Sequence, residues 1–338
     1  MSKLSRLLFL TLFQLPTLLA NDLKFPSQSY SIETRREHIS SLSFLDGKVV
    51  FVGHGIPGLG EPTKNLYTQD FPFLKNARKF DRYLDNQPII LKKANLPVKM
   101  NPSHVTIVDG KILLLDSKKL EMTLFDEKMN LISDHSVVYD LITPAKDLKG
   151  AAPKFEVERL RKTFKQNLKP KNRFKRHRKR KTLTPQKDQE VILGTALAGR
   201  TKSDIQILLL TSIADFPVVL MECNRLNLSN CTIKSKCNIQ TPKGSIPLGL
   251  KSQGLALTAD KKYMIIGNQD DHSIMIFSFG SCSKITHVKD RYLPPAIKKI
   301  TSLAINDKDD LFIGTLARDA YRNASIFIWE RKDWFIKP

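Results

Sequence analysis

The 338-residue chain lacks the short motifs that announce a reaction. It has no G-x-S-x-G elbow for a nucleophilic serine and no H-E-x-x-H pair for a zinc protease. Its four cysteines include no C-x-x-C, and no histidine clusters with them, so a closed zinc site has no ready ligand set. Past the first twenty residues no stretch is apolar enough to cross a bilayer, which takes about 20 residues. Acidic side chains are also short: 33 Asp and Glu stand against 55 Lys and Arg, for a formal net charge of +22. Apolar residues are not scarce, and at 41% they suffice for a packed core.

The one long apolar run lies at the N-terminus. Lys3 and Arg6 precede Leu7 to Leu19, and the run ends at Ala20 before Asn21-Asp22. Charged, apolar and small residues in that order read as a secretory signal peptide over 1–20, with an uncleaved anchor as the competing reading. Export suits the cysteines. Cys223, Cys231, Cys237 and Cys282 allow three complete pairings, and disulfides are expected in an oxidising compartment. The strand reading below favours Cys223 with Cys231 across one hairpin and Cys237 with Cys282 between neighbouring units.

Two stretches near the C-terminus repeat one another. Gly254–Gly267 (GLALTADKKYMIIG) and Ser302–Gly314 (SLAINDKDDLFIG) each give an alternating apolar strand, a polar turn and a second apolar strand closing on Gly. Leu255 and Leu303 stand 48 residues apart, and both units run on into a third strand, at Ser273–Phe277 and Ser325–Trp329. A period near this length built of short strands indicates a β-propeller of four-stranded antiparallel blades. Ser41–Gly53 and Ser103–Asp116 follow the same plan around Asp-Gly-Lys turns, and Asp-Gly between apolar runs is a strong hairpin signal. A further unit runs through Val191–Ala198, Ile205–Thr211, Val218–Glu222 and Thr232–Lys236. The expectation is an all-β single domain over 21–338 with five blades, or six if a degenerate one lies between Val137 and Gln189. Two segments compete to supply the outer strand of the last blade: Gln28–Glu33, or Trp334-Phe335-Ile336.

The stretch Gly254–Phe277, with LTADKKYMIIGNQDDHSI inside it, resembles the repeat of YVTN-type and lactonase-like β-propellers. Ala259 stands where that repeat usually has proline, Lys261 where it has glycine, and Gly267-Asn268 where it has Ala-Asn. The resemblance implies the fold and leaves the chemistry open, because such propellers include both enzymes and plain binding scaffolds.

Between the second and third units the composition changes. An insertion over 144–190 carries, from Lys154 to Lys187, fifteen Lys and Arg against Glu156 and Glu158, a net of +13. Leu160, Phe164 and Leu168 are four apart, which predicts a helix over 155–168 ended by Pro170. The polybasic part, 171–181, holds Lys171, Arg173, Lys175, Arg176, Arg178, Lys179, Arg180 and Lys181. Such a run suits a polyanion: nucleic acid, an anionic glycan, lipid headgroups or an envelope polymer. Only Phe174 interrupts it, so the stacking platform of single-strand binders is missing and specific nucleic-acid recognition is not expected. A protease-sensitive linker and a plain solvated insertion are the alternatives.

In a propeller the second-to-third-strand loops and the blade-to-blade connections share one face. The second-to-third loops are expected at Gly53–Lys79, Asp116–Leu120, Ser212–Pro217, Gly267–His272 and Thr315–Ala324. The first is the longest, with Gly55, Gly58, Gly60 and Tyr67 overhanging the face. Ligand-face candidates are His54, Asp215, Asn268, Asp270, Asp271, His272 and Arg318. For Asp270-Asp271 the simplest role is stabilising a turn. The leading expectation is an exported, non-catalytic scaffold without a cofactor, binding a protein or an anionic polymer. The alternative is a metal-dependent hydrolase or lactonase-like enzyme, with Ca2+ or another divalent ion held on the axis by Asp215, Asn268 and Asp270. Asn227-Leu-Ser, Asn230-Cys-Thr and Asn323-Ala-Ser fit the glycosylation acceptor pattern of a eukaryotic export route.

Overall fold

The computed structural model describes residues 22–136 and 192–335 with interruptions, the longer ones at 56–63, 72–91, 95–101, 241–251 and 316–323. After β1 (Gln28–Ile32), the first blade comprises β2 (Glu37–Leu45), β3 (Lys48–Gly55), β4 (Lys64–Asp70) and β5 (Lys92–Ala94). The second comprises β6 (His104–Val108), β7 (Lys111–Asp116), β8 (Glu121–Phe125) and β9 (Leu131–Ser136). The third comprises β10 (Ile192–Arg200), β11 (Asp204–Thr211), β12 (Val218–Asn224) and β13 (Thr232–Lys236). A short β14 (Ile239–Gln240) joins, in parallel, the outer edge of the fourth blade, which is otherwise β15 (Ser252–Leu257), β16 (Tyr263–Asn268), β17 (Ser273–Ser281) and β18 (Lys284–Tyr292). The fifth is β19 (Ile300–Ile305), β20 (Leu311–Thr315), β21 (Ala324–Trp329) and, as its outer strand, β1. One helical turn, α1 (Arg331–Trp334), follows.

The blades form because their second strands are apolar on both faces. Val49–Val52, Ile112–Leu115, Ile207–Leu210, Met264–Ile266 and Leu311–Ile313 are buried without alternation. A continuous short apolar run of this kind is a strand covered from both sides, here by the blades before and after it. Outer strands alternate instead, as β13 does from exposed to half-buried along its length. The turn between β6 and β7 has Asp109 at φ 50° and Gly110 at φ 71°, the paired left-handed residues that a two-residue hairpin requires.

The inner strands β2, β6, β10, β15 and β19 neighbour one another in that order, and β19 returns to β2. β6 lies directly against β10: His104 Nε2 is 2.8 Å from the Ile192 carbonyl, and the Thr106 and Thr195 hydroxyls are 2.6 Å apart. The ring therefore closes at five blades, with no place for a sixth between the second and third. It is sealed by β1, which runs antiparallel to β21 from Gln28↔Ile328 to Ile32↔Ala324. Of the two segments expected to compete for that position, the N-terminal one holds it. Trp334 is instead buried in α1, where its indole N–H donates to the Asp309 carbonyl at 2.8 Å.

One sequence expectation needs correction. The stretch taken as a single loop from Gly53 to Lys79 contains β4, and Tyr67 lies inside that strand. Its ring stacks on Phe51 at 5.2 Å in the core between blades one and five, so it does not overhang the face.

Both disulfides are present in the expected pairing. Cys223–Cys231 closes the hairpin between β12 and β13, and Cys237–Cys282 ties the end of blade three to the β17–β18 hairpin of blade four.

Candidate functional site

Meander topology places the starts of the inner strands, the ends of the second strands and the ends of the outer strands on one face. Four of the five inner strands carry a β-bulge at this mouth: between Ile39 and Ser41, Ile192 and Gly194, Gln253 and Leu255, and Ile300 and Ser302. A bulge adds a residue and turns the strand end. Only β6 pairs without one. At the same level, four of the five apolar second strands stop on a polar residue, Asp116, Thr211, Asn268 or Thr315, while β3 has His54 one place before its last residue, Gly55. Register aligns four of them with inner-strand starts, as His38↔His54, Ile192↔Thr211, Ser252↔Asn268 and Ile300↔Thr315. Asp116, Thr211, Asn268 and Thr315 are all buried. The mouth is thus bordered by a buried polar strand end in blades two to five.

Of the candidates from the sequence, three are fully described. Asn268 ends β16, buried, and donates from Nδ2 to Asp271 Oδ2 at 3.1 Å. Its neighbour Gln269 donates from Nε2 to the Ile300 carbonyl at 2.9 Å, linking the loop to blade five. His272 has φ 51°, and its carbonyl accepts the Leu293 N–H at 2.8 Å. Asn268, Asp271 and His272 therefore belong to one local turn on the expected face, in which the Asp271 carboxylate accepts from the Asn268 side chain. His54 lies near the end of β3 on the same face. Asp215, Asp270 and Arg318 lie outside the described residues, as do the helix expected over 155–168 and the polybasic residues 171–181.

Sequence reasoning passed over Asp116, Thr211 and Thr315. The signal was a repeated apolar run closing on one polar residue, and it was followed only where the family-like repeat was clearest. Arg291 was missed as well. It pairs with Ile274 near the start of β17, just below the face, and is buried. Burial pulls its guanidinium below the ordinary arginine value, and the Asp22 carboxylate acts against that shift. Among the described residues no three His, Cys, Asp or Glu side chains come together as a metal-binding group, and no helix is long and apolar enough to span a membrane.

The opposite face is built for cohesion. Asp109, in the first turn of blade two, binds Arg225 and, at 2.9 Å, Arg200 of blade three. Lys261 of blade four donates to the Leu197 carbonyl of blade three at 3.0 Å. Asp309 of blade five accepts the Ala259 N–H of blade four at 2.6 Å and pairs with Arg331 at 2.8 Å.

No protein-family model matches the chain, and no curated protein matches it. Several hundred solved chains are similar in fold. Glutaminyl cyclase of Myxococcus xanthus aligns over 90% of this chain and 96% of its own at 7% identity and a TM-score of 0.46. A chain of a nidogen–laminin complex aligns over 83% and 73% at 9% identity and a TM-score of 0.39. A provisional 6-phosphogluconolactonase from Bacteroides uniformis aligns over 86% and 67% at 12% identity and a TM-score of 0.37. Overlap this loose transfers no activity and no residue role. On its own strand pairing and its own repeat, the chain is a five-bladed β-propeller resembling the lactonase-like propellers.

Proposed function

We propose that the protein is an exported binding scaffold that engages a protein or an anionic polymer through its loop-rich face and the insertion between blades two and three. One observation carries this reading. Lys154–Lys187 of the insertion holds +13 of a net +22, and the insertion leaves from the end of β9 and returns at the start of β10. Both ends lie on the face bordered by the polar ring, so a polyanion drawn to the basic run is brought to that mouth. The two disulfides support export, because such bonds persist in oxidising compartments.

The test is a titration of the protein against a heparin-like glycan and against duplex DNA over a range of salt, with a deletion of Asn172–Lys181 alongside. The expected result is glycan binding whose affinity falls steeply with salt, and a much flatter slope in the deletion, since each neutralised phosphate or sulfate releases about one counterion. Absent binding, or binding that the deletion leaves unchanged, overturns the proposal. Tighter binding to DNA than to the glycan would redirect it to nucleic acid.

A further inference from the structure

The ring is held shut by contacts that do not depend on the chain being continuous between blades two and three. The described residues fall into two pieces, 22–136 and 192–335, which meet at two seams. At the first, blade one packs on blade five. Ile39, Val49, Phe51 and Tyr67 share a core with Ala304, Phe312 and Ile326, and the Phe44 and Phe312 rings meet at 4.5 Å. At the second, Leu113, Leu115 and Met122 share a core with Ile205, Ile207 and Met221, flanked by the Asp109–Arg200 and Asp109–Arg225 pairs.

A strand crosses between the pieces as well. β1 belongs to the first piece but is a strand of a sheet in the second, and Ser27 Oγ donates to the Ile328 carbonyl at 2.9 Å beside it. Leu23 N–H donates to the Tyr292 carbonyl at 2.8 Å, further along the same path. The points where the insertion departs are pinned. Ser136 pairs with Glu121, and Ile192 pairs with Thr211 while its carbonyl contacts His104. Both disulfides lie within the second piece, so neither joins the two.

We propose that the propeller persists as two interlocked chains when the backbone is cut between Ser136 and Ile192. The sequence there invites such a cut, since Arg173-Phe-Lys-Arg-His-Arg-Lys-Arg-Lys181 offers repeated sites to a protease that cleaves after basic residues. Hydrolysis of one peptide bond takes up one water, giving a carboxylate on the first chain and an amine on the second. The domain stays assembled, with the end of β9 and the start of β10 still on the same face. This goes beyond the scaffold reading and does not require that a polyanion bind.

The experiment replaces Thr182–Asp188 of the full chain with the recognition sequence of a highly specific protease and cuts the purified protein. Non-reducing denaturing electrophoresis is expected to show two chains, while gel filtration in native buffer gives one peak at the uncut volume. The thermal midpoint is expected to depend on protein concentration only after cutting, because unfolding then releases two molecules. Two separate native peaks, or precipitation on cutting, overturn the proposal. Tyr30→Asp, which puts a carboxylate at a buried position of β1, is expected to make the cut protein come apart while the uncut variant stays one species. A cut Tyr30→Asp protein as firmly assembled as the cut parent would overturn the role of the strand.

Discussion

Asp109 holds a left-handed backbone and two guanidinium groups at once. A β-branched residue would not tolerate φ 50°, and a neutral one would leave Arg225 and Arg200 without their anion. The hydrogen bond from Arg225 holds its carboxyl below the usual aspartate range; burial acts against it, and Arg200 adds to the lowering. A carboxyl lowered on folding contributes stability above its unfolded pKa and loses it as pH falls through the folded value. Asp109→Asn keeps a side chain that accepts positive φ and removes only the charge. It is expected to cost at most about 1 kcal/mol at pH 7, the ceiling for a partly exposed pair. It should also flatten the fall in urea midpoint between about pH 4 and pH 2, where ordinary carboxyls become protonated. An acid slope identical to the parent's would remove Asp109 from the account. Lys261 illustrates the opposite balance: burial and the nearby Arg200 charge push its ammonium down, so the carbonyl of Leu197 is its compensation for leaving water.

At the scale of the strand, the question is what satisfies the inner edges, whose N–H and C=O groups have no further strand to pair with. Between blades one and two, hydroxyls do so. Ser40 donates to the Ser103 carbonyl at 3.0 Å, Ser41 accepts the Val105 N–H at 3.0 Å, and Ser43 accepts the Ile107 N–H at 3.2 Å. Between blades three, four and five the backbones close in directly. A Cβ on Gly194 would lie 2.7 Å from the Leu255 nitrogen, and one on Gly254 would lie 2.7 Å from the Leu303 nitrogen. Gly254 also has φ 77° in its bulge, so Gly254→Ala meets backbone atoms and strain together. The expected loss exceeds about 2 kcal/mol in urea unfolding, placing it in the tail of single substitutions; a loss under 1 kcal/mol would mean that blade five can shift aside. Sequence alone disclosed the part of β2 from Ser41 onward as an alternating strand through Leu42 and Phe44. It did not disclose why serines fill the positions between, because their partners sit on β6, more than sixty residues away. The strand β4 escaped notice for a simpler reason: in KNLYTQD only Leu66 and Tyr67 are buried apolar side chains, too few to set a period. The buried polar border of the mouth was legible at Asn268, where the repeat is clear, and hidden at Thr211 and Thr315, which look like ordinary strand ends.

Across the whole molecule, covalent and charged features are unevenly shared. Both disulfides serve blades three and four, and they differ in reach: 8 residues separate Cys223 from Cys231, and 45 separate Cys237 from Cys282. Loop-closure entropy gives about 2.5 kcal/mol for the short bond and about 4 kcal/mol for the long one. Replacing Cys237 and Cys282 by Ser is therefore expected to lower unfolding stability more than replacing Cys223 and Cys231, and equal losses in urea titrations would show that local packing outweighs loop length. The closing strand sets a condition of another kind, in time. β1 leaves the ribosome well before its partner, since Ser27 meets Ile328 across a separation of 301 residues. At about 5–20 residues per second, synthesis keeps β1 waiting roughly 15 to 60 s for its partner. During that interval a strand with unpaired edges, its Tyr30 not yet buried, is available to any other nascent chain. A ribosome stalled before Ala324 would leave β1 without its partner, so the ring cannot close, or be tested for quality, until β21 has been made.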